Sequence, residues 1–231
     1  MTEIKKRFET ISSSIRQAES DANRAEKAVQ LLAVSKTWPA EKLRTVAALG
    51  QTRFGENYLQ EALDKIHALA DLELEWHFIG PIQSNKTRDI ATFFDWAQTV
   101  DRLKVAKRLN DQRPQQLPPL NVCIQVNIDN EDSKSGVSVE EIQPLAEAIQ
   151  QFDKLKLRGL MIIPARHDNE TAQAETFRRA FELYQSLQSQ FDGIDTLSMG
   201  MTADRQLAIQ HGSTMVRIGT ALFGQRHTRQ D

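Results

Sequence analysis

Eight short segments with the length of a strand alternate along this sequence with longer segments of helical spacing, and this alternation constrains the fold more than any other feature. The first of them, residues 31–36, is a run of apolar and small residues that is typical of a buried strand. The predicted strands are residues 31–36, 53–57, 76–80, 96–100, 121–127, 157–163, 196–200 and 215–219. Successive strands start roughly 20 to 40 residues apart, which leaves room for a helix in each connection. The pattern therefore predicts an α/β fold, a single (β/α)8 TIM barrel.

The principal alternative is an open, doubly wound sheet. Such a sheet usually carries a glycine-rich phosphate turn after its first strand. The turn here, residues 35–39 (Ser-Lys-Thr-Trp-Pro), contains no glycine. No proline-rich linker or change of composition divides the chain, so we predict one domain over residues 1–231, with the barrel at 31–226.

Residues 1–29 precede the first strand and are predicted to form an additional helix, from residue 2 to about residue 29. Its apolar residues are spaced alternately four and three apart, which gives a narrow apolar seam. They are Ile4, Phe8, Ile11, Ile15, Ala18, Ala22, Ala25 and Val29. A coiled-coil dimer is one use of such a seam. Because the seam fades into alanines, we expect the helix to pack on the barrel instead.

Composition excludes several classes of function. The net charge of −2 argues against a nucleic-acid surface or a polybasic membrane surface. The single cysteine, Cys123, excludes an intrachain disulfide and suits a reducing compartment. No apolar run approaches the roughly 20 residues that span a bilayer, and residues 1–7 lack the apolar core of a secretory signal. We therefore predict a cytoplasmic protein with no nucleic-acid, membrane or metal partner.

Lys36 ends the first predicted strand, which is where a barrel enzyme places a reactive side chain. Alternation along the strand puts Lys36 on the same side as Leu32 and Val34. A lysine that continues an apolar face in this way can present its amine inside the mouth of the barrel. An isolated lysine more often simply extends into solvent, so the remaining residues must distinguish the two interpretations.

The loops after the seventh and eighth strands favour an anion site. Phosphate sites of this fold favour these two loops, and here they contain residues 198–202 (Ser-Met-Gly-Met-Thr) and the pair Gly219-Thr220. Small residues let the backbone approach an anion, and hydroxyl and N–H groups supply donors. The same residue types also shape ordinary turns.

Arg217 alternates with Val216 and Ile218 on the eighth strand. If these two aliphatic residues pack under helices, the guanidinium points into the barrel, where an unpaired charge is costly. It should therefore meet a carboxylate, backbone carbonyls or a ligand nitrogen. An ion pair between barrel layers is an equally good explanation. An inward arginine, a strand-end lysine and a phosphate site together suit a phosphorylated aldehyde held as a Schiff base. Pyridoxal 5′-phosphate and a sugar phosphate on a lysine aldolase both remain open.

A family resemblance distinguishes these two ligands. Its motifs are residues 33–36 (AVSK), 54–57 (FGEN), 76–80 (WHFIG) with 83–86 (QSNK), 133–136 (SKSG), 198–201 (SMGM) and 216–220 (VRIGT) with 223–224 (FG). In this order, from about Leu31 to Arg226, they resemble the YggS/PROSC family of pyridoxal phosphate homeostasis proteins. That family is similar to the barrel domain of alanine racemase, binds pyridoxal 5′-phosphate through a lysine and has no established catalytic activity.

The resemblance implies a role for each matching residue. It implies that Lys36 forms the Schiff base, that Arg217 faces the pyridine nitrogen and that Asn57 also contacts the cofactor. The residues implied to surround the phosphate are Ser198, Thr202, Gly219 and Thr220. Thr202 departs from the serine that is more usual in the family, so its contact is the least secure of the four.

Three further residues match family motifs without a specific role. His77, Lys86 and Lys134 are expected to line the mouth of the site or to support it. Solvated surface is the alternative for both lysines, and a core hydrogen bond is the alternative for His77.

The resemblance favours a carrier over a catalyst. A guanidinium beside the pyridine nitrogen cannot accept a proton, which weakens the ring as an electron sink. Racemases add a β domain that supplies a second acid–base group and dimerises, whereas this sequence ends about a dozen residues after the eighth strand. We therefore expect a monomer that holds and releases the cofactor, with cofactor-dependent apo-enzymes as recipients. A small amino-acid racemase or lyase, using a second base from within the barrel, is the second hypothesis, and a cofactor-free lysine aldolase is the third.

Overall fold

Eight parallel strands form a closed barrel in this computed structural model, which describes residues 2–131, 134–165 and 169–225. Each strand pairs with the next one along the chain, and the last strand pairs with the first. The strands are β1 (Gln30–Val34), β2 (Arg53–Glu56), β3 (Glu75–Phe78), β4 (Trp96–Val100), β5 (Leu120–Val126), β6 (Leu155–Ile162), β7 (Thr196–Ser198) and β8 (Met215–Ile218). The predicted (β/α)8 barrel is confirmed.

Helices cover the outside of the barrel; in the described part of the chain one precedes the first strand and one follows each strand. They are α1 (Glu3–Asp21), α2 (Ala40–Ala47), α3 (Leu59–Ala68), α4 (Thr87–Phe93), α5 (Leu103–Gln112), α6 (Ile142–Gln150), α7 (Glu170–Gln190), α8 (Arg205–Gln210) and α9 (Thr220–Phe223). A 3-10 turn, Val139–Glu141, leads into α6 and carries a capping box between Ser138 and Glu141. Within the described residues, no helix is long and apolar enough to cross a bilayer.

The two faces of each strand have separate partners, as the period of two in a strand requires. On β8, Val216 and Ile218 are fully buried in the core beneath the helices. Leu32 on β1 and Met215 at the start of β8 instead form part of a small apolar cluster inside the barrel. Arg217 lies between its two outward neighbours and points inward, as alternation predicts, because its guanidinium bonds to groups of β6 and β7.

The N-terminal helix packs on the barrel, as predicted, but it is shorter than predicted. It contacts α8 and α9 and buries the seam residues Ile4, Ile11, Ile15 and Ala18. It ends at Asp21 rather than near residue 29, because the buried carboxylate of Glu19 accepts hydrogen bonds from backbone N–H groups beyond the helix. The Val29 N–H donates to it at 2.6 Å and the Lys27 N–H at 3.2 Å. These contacts turn the chain back toward β1.

Several strands end one or two residues before the predicted ends. As a result Lys36, Asn57, Gly80 and Gly219 lie just beyond the ladder, in loops at the carboxyl end of the barrel. This position is consistent with a site made from strand-end residues. Two predicted features, the motif residue Ser133 and the end of the family resemblance at Arg226, lie outside the described residues.

Candidate functional site

A cavity of about 420 Å³ opens at the carboxyl end of the barrel. One side is polar and the other is apolar, as is usual for a small-molecule site. Its lining residues are Val34, Lys36, Asn57, Ile79, Met161, Ile163, Met201, Thr202, Ala203, Arg217, Gly219 and Thr220. Six of the seven residues predicted to bind a cofactor are in this set; the seventh, Ser198, is not. The barrel thus brings together residues that are up to 184 positions apart, from Lys36 to Thr220.

Lys36 lies two residues beyond β1, in a turn whose backbone is fixed on both sides. The Ser35 N–H donates to the Gly55 carbonyl of β2 at 3.0 Å, and the Trp38 N–H donates back to the Ser35 carbonyl at 3.0 Å. Thr37 has φ of 68°, in the left-handed region. That conformation costs a residue other than glycine about 1 kcal/mol or more. The surrounding contacts must therefore hold the turn in place.

A buried ion cluster beneath the turn supplies those contacts. The Lys65 ammonium on α3 donates to the Ser35 carbonyl at 2.8 Å and to Glu56 Oε1 at 2.7 Å. Lys65 also pairs with Glu61, whose carboxylate accepts a hydrogen bond from the Thr37 N–H. The cluster thereby holds the residues on both sides of Lys36.

Glu56, the carboxylate of this cluster, is fully buried. Its Oε1 also accepts from the Ser35 hydroxyl at 2.6 Å, whereas Oε2 has no hydrogen-bond partner among the described residues. Burial raises the pKa of the Glu56 carboxyl above its ordinary value, and the nearby Lys65 ammonium opposes the rise. Removal of the Lys65 charge would therefore leave the Glu56 carboxylate uncompensated in the core, whereas Lys65 would keep Glu61 as a partner if Glu56 were neutralised.

Arg217 is buried and reaches the cavity from β8. One terminal nitrogen, Nη1, donates to the Ser198 carbonyl at 2.7 Å and to the Ser198 hydroxyl at 2.9 Å. The other, Nη2, donates to the Ile162 carbonyl at 2.8 Å. Burial lowers the pKa of Arg217 to about 10, so the group stays charged at neutral pH. Of the acceptors predicted for this arginine, the described structure supplies backbone carbonyls, and it adds the Ser198 hydroxyl, which was not predicted.

Asn57 lines the cavity at the end of β2, and Gly80, beyond the end of β3, packs against its backbone. A Cβ at Gly80 would lie 2.1 Å from the Asn57 carbonyl oxygen, so only glycine permits the two strand ends to approach this closely. Asn57 lines the cavity, and its Oδ1 is buried without a hydrogen-bond partner among the described residues. Buried amide oxygens are rarely left unpaired, so this atom is suited to a ligand donor.

The loops after β7 and β8 form another part of the lining. Thr202, Gly219 and Thr220 line the cavity there, and Thr220 begins α9 with Gly219 as its N-cap. Gly200 has φ of 94°, and a Cβ on it would lie 2.6 Å from the Ala208 Cβ. Glycine at this position lets the β7 loop fold back over α8, which brings Thr202 to the cavity. Two threonine hydroxyls and a glycine backbone suit an anion.

Ser198 and His77 lie inside the barrel, below the cavity, and both are fully buried. The Ser198 hydroxyl donates to Gln98 and accepts from Arg217, so its contacts are with residues that support the site. His77 was expected to line or support the mouth; it does not line the cavity and hydrogen bonds to Glu75 and Gln98. The position of His77 agrees with the alternative predicted for it, a hydrogen bond in the core. Inward residues in the middle of a strand lie below the loops that form the cavity.

Lys86 and Lys134 are also not among the residues that line the cavity. Lys86 is the N-cap residue of α4 and is half-buried. Lys134 lies in the loop after β5 and pairs with Glu131 at 3.2 Å. Their positions agree better with the alternative predicted for both, a solvated surface, than with contact to a ligand in this cavity.

Two features of the site were not predicted: most of its apolar wall, apart from Val34, and Gln98. The wall consists of Val34, Ile79, Met161 and Ile163. Ile79 directly precedes the glycine of the third strand motif, so the position of a strand end was the available signal. Gln98 is an inward polar residue on a fully buried strand, which is itself an indication of a hydrogen-bonded role.

Comparison with known proteins identifies the family. The family model described as alanine racemase, N-terminal domain, matches residues 11–227. A pyridoxal phosphate homeostasis protein of Vibrio alginolyticus is 53% identical over 230 residues, covering 98% of this chain and 99% of that protein. The protein of the same name from Escherichia coli K12 is 48% identical over 229 residues, which is 98% of each chain. This chain belongs to the pyridoxal phosphate homeostasis family. The resemblance predicted from the motifs is confirmed.

Solved structures that are similar to this chain have the same fold. PipY of Synechococcus elongatus PCC7942, solved without PLP, is 36% identical with a TM-score of 0.81, and the match covers 91% of this chain and 99% of PipY. PipY with PLP bound is 34% identical with a TM-score of 0.78, covering 91% of this chain and all of PipY. Alanine racemase of Corynebacterium glutamicum, at 18% identity and a TM-score of 0.64 over 97% of this chain and 63% of the racemase, supports the barrel fold alone.

Proposed function

We propose that this family member binds pyridoxal 5′-phosphate as a Schiff base on Lys36 and holds and releases it as a carrier in cofactor homeostasis, without turning over a substrate. The observation that carries the proposal is that Lys36 and the buried guanidinium of Arg217 line one cavity. The pyridoxal phosphate bound to the related PipY supports the choice of ligand.

The residues of the cavity fit this ligand chemically. Lys36 supplies the amine that attacks the aldehyde carbon; a C=N bond forms and the carbonyl oxygen leaves as water. The phosphate is bound by the hydroxyls of Thr202 and Thr220 and by the backbone at Gly219, where no side chain blocks its approach. Arg217 faces the ring nitrogen, and the unpaired Oδ1 of Asn57 accepts from a polar ring substituent.

The apolar wall completes the fit. Ile79, Met161 and Ile163 present hydrocarbon to a flat heteroaromatic ring. The cavity of about 420 Å³ is within the usual range for small-molecule sites. Ligand binding here would therefore combine one covalent bond, an anion site and apolar contact.

The charges around the cavity favour binding over turnover. When bound, pyridoxal 5′-phosphate supplies an electron sink whose strength depends on a protonated ring nitrogen. Arg217 has hydrogen-bond donors only, so it cannot keep that nitrogen protonated as a carboxylate would. Among the described residues that line the cavity, Lys36 and Arg217 are the only ones with basic groups. Racemisation needs a proton donor and an acceptor on opposite faces of the substrate, and this lining does not offer such a pair.

Release would deliver the cofactor to pyridoxal phosphate-dependent apo-enzymes. Met201 and Thr220, on the phosphate side of the cavity, are exposed, so that side is accessible from solvent. A mixture of the loaded protein with an apo-enzyme should restore that enzyme's activity. If activity returns no faster than the released, free cofactor can account for, the cofactor passes through solution. If activity returns faster than that, the protein transfers the cofactor directly.

Borohydride reduction tests the covalent bond. Reduction of the loaded protein converts the C=N bond to a stable secondary amine, and peptide mapping should find the modification on Lys36. Lys86→Ala and Lys134→Ala serve as matched controls, because both lysines lie outside the cavity, and neither should change the labelling. An unmodified Lys36 peptide would refute the proposal.

Deuterium exchange tests the absence of turnover. The loaded protein should not sustain exchange of the α-hydrogen of alanine or serine with solvent deuterium. Sustained exchange would support the racemase or lyase hypothesis instead. Aldol cleavage by protein free of pyridoxal 5′-phosphate would support the third hypothesis, a lysine aldolase.

A further inference from the structure

A continuous chain of hydrogen bonds crosses the interior of the barrel and ends on Arg217. Glu75 Oε1 lies 2.8 Å from His77 Nε2, and His77 Nδ1 lies 2.8 Å from Gln98 Nε2. Gln98 Oε1 then accepts from the Ser198 hydroxyl at 2.7 Å, which itself accepts from Arg217 Nη1 at 2.9 Å. The three middle residues are fully buried, so water does not compete for these bonds.

Every bond in this chain has the same direction. The Glu75 carboxylate is an acceptor, so His77 must carry its proton on Nε2 and accept at Nδ1. The Gln98 amide is oriented by Met215, whose sulfur, an acceptor, lies 3.2 Å from Nε2. The His77 ring is also stacked on Trp96, with centroids 5.0 Å apart and planes 13° from parallel. The donors thus run from the Arg217 guanidinium to the Glu75 carboxylate.

The two ends of the chain lie at opposite ends of the barrel. Arg217 borders the cavity at the carboxyl end and makes no ion pair among the described residues. Glu75 is the first residue of β3 and borders a second cavity, of about 220 Å³, at the amino end of the strands. There it also pairs with Arg53 at 3.0 Å. Successive hydrogen bonds in a dry interior polarise one another, so the charge at one end is felt at the other.

We propose that Glu75, His77 and Gln98 are positioning residues that act through Ser198 to fix the orientation and hydrogen bonding of the Arg217 guanidinium at the cofactor site. This inference rests on the proposed function, because its importance lies in cofactor binding. It predicts that a change at Glu75, outside the cofactor cavity, alters affinity for pyridoxal 5′-phosphate. The chain therefore links the second cavity to the first.

Two substitutions test the chain: one breaks it in the middle, and the other removes the charge at its end. Gln98→Leu removes both central hydrogen bonds with little change in volume. Glu75→Gln keeps an acceptor for His77 but removes the terminal charge. Each has a matched control outside the chain. The control for Gln98→Leu is Thr196→Val, on the same strand as Ser198, which removes a hydroxyl that hydrogen bonds to Asp195. The control for Glu75→Gln is Asp195→Asn, which removes another carboxylate from the second cavity.

The first measurement needs no cofactor. Nitrogen-15 NMR of the wild-type protein should show His77 neutral, with its proton on Nε2. Gln98→Leu should shift the guanidinium signals of Arg217, whereas Thr196→Val should leave them in place. A purely structural role for Gln98 would not produce a shift specific to Arg217. A wild-type His77 that is doubly protonated or carries its proton on Nδ1, or Arg217 signals that do not respond to Gln98→Leu, would overturn the inference.

The second measurement is titration with pyridoxal 5′-phosphate. The Kd should rise about threefold to tenfold for Gln98→Leu, the loss expected for hydrogen bonds of this kind, and about twofold to threefold for Glu75→Gln. Both controls should stay within twofold of the wild type. If Gln98→Leu does not fold, Glu75→Gln, at a partly exposed position, tests the inference through the same two measurements, the Arg217 NMR signals and the Kd. Wild-type protein that does not bind the ligand would refute the proposed function, while the NMR result would still test the chain.

Discussion

Lys65 shows how a residue that does not line the cofactor cavity can determine the geometry of Lys36. Its ammonium joins the backbone of Ser35 to two carboxylates, Glu56 and Glu61. The left-handed backbone of Thr37 is thereby held beside the amine that we propose to be reactive. The buried ion pair thus stabilises the turn that contains the left-handed backbone of Thr37.

Replacement of Lys65 by methionine should destabilise the protein by about 3–5 kcal/mol, because the carboxylate of Glu56 is left buried and uncompensated. It should also slow formation of the Schiff base on Lys36. Urea denaturation and the rate of change in absorbance measure the two effects. Lys42→Met, at an exposed lysine of α2, is the control and should change stability by less than about 0.5 kcal/mol.

The double variant Glu56→Gln with Lys65→Met distinguishes a charge effect from lost packing. Removal of both charges should recover part of the stability lost in Lys65→Met alone. If the double variant is no more stable than Lys65→Met, the buried charge of Glu56 is not the cause of the loss.

At the scale of elements, α1 has a role that the barrel fold alone does not require. Its seam of isoleucines packs against α8 and α9, the helices that follow β7 and β8. The Ser14 hydroxyl near the middle of α1 also accepts a hydrogen bond from Arg205, the first residue of α8, at 3.1 Å. The helix therefore supports the elements that flank the proposed phosphate side of the cavity.

Truncation of a buried residue of α1 should measure this support. Ile15 is almost fully buried, so Ile15→Ala should cost about 2–5 kcal/mol of unfolding free energy. Ser13→Ala, at an exposed position on the same helix, should cost less than about 0.5 kcal/mol. Equal, small losses in the two variants would show that α1 contributes little to the stability of the barrel.

The predictable part of the structure is the part that local pattern determines. The strand Trp96–Val100 was predicted with both its ends, because an aspartate directly precedes it and another directly follows it. The end of α1 was wrong by about eight residues, since it depends on the buried contacts of Glu19 with a later segment. Periodicity within the helix carries no information about such a contact.

The same limit applies to the candidate site: residues at strand ends could be predicted, and contacts across the barrel could not. Strand ends identified Lys36 and Asn57, and alternation identified the inward direction of Arg217. The contact between Gln98 and Ser198 joins residues 100 positions apart, and it exists only because the barrel closes. The sequence therefore did not reveal that Ser198 contacts Gln98 and Arg217, or that His77 belongs to the same chain.

At the scale of the whole molecule, buried ionisable groups make stability depend on pH. Burial lowers the pKa of His77 below its ordinary value of 6.5, despite the hydrogen bond to Glu75 that opposes this shift. As the pH falls through 6.5, the unfolded chain takes up a proton at His77 before the folded protein does. The unfolded state is therefore favoured progressively below that pH.

The wild-type protein should accordingly lose stability on acidification from pH 7.5 to 5.0 more steeply than His77→Gln, which has no titrating group at this position. The difference in slope should approach about 1.4 kcal/mol per pH unit below pH 6.5. Urea denaturation at several pH values measures it. Identical slopes would show that His77 takes up its proton equally in the folded and unfolded states.

We propose that one small molecule is held between the first and last strands of the barrel, and the absorbance spectrum during titration with pyridoxal 5′-phosphate can show whether it is. The wild-type protein should develop a saturable visible band that is absent from Lys36→Ala and retained in Lys86→Ala. A wild-type protein that stays colourless at saturating ligand, or a Lys36→Ala variant with the same band, would contradict the account.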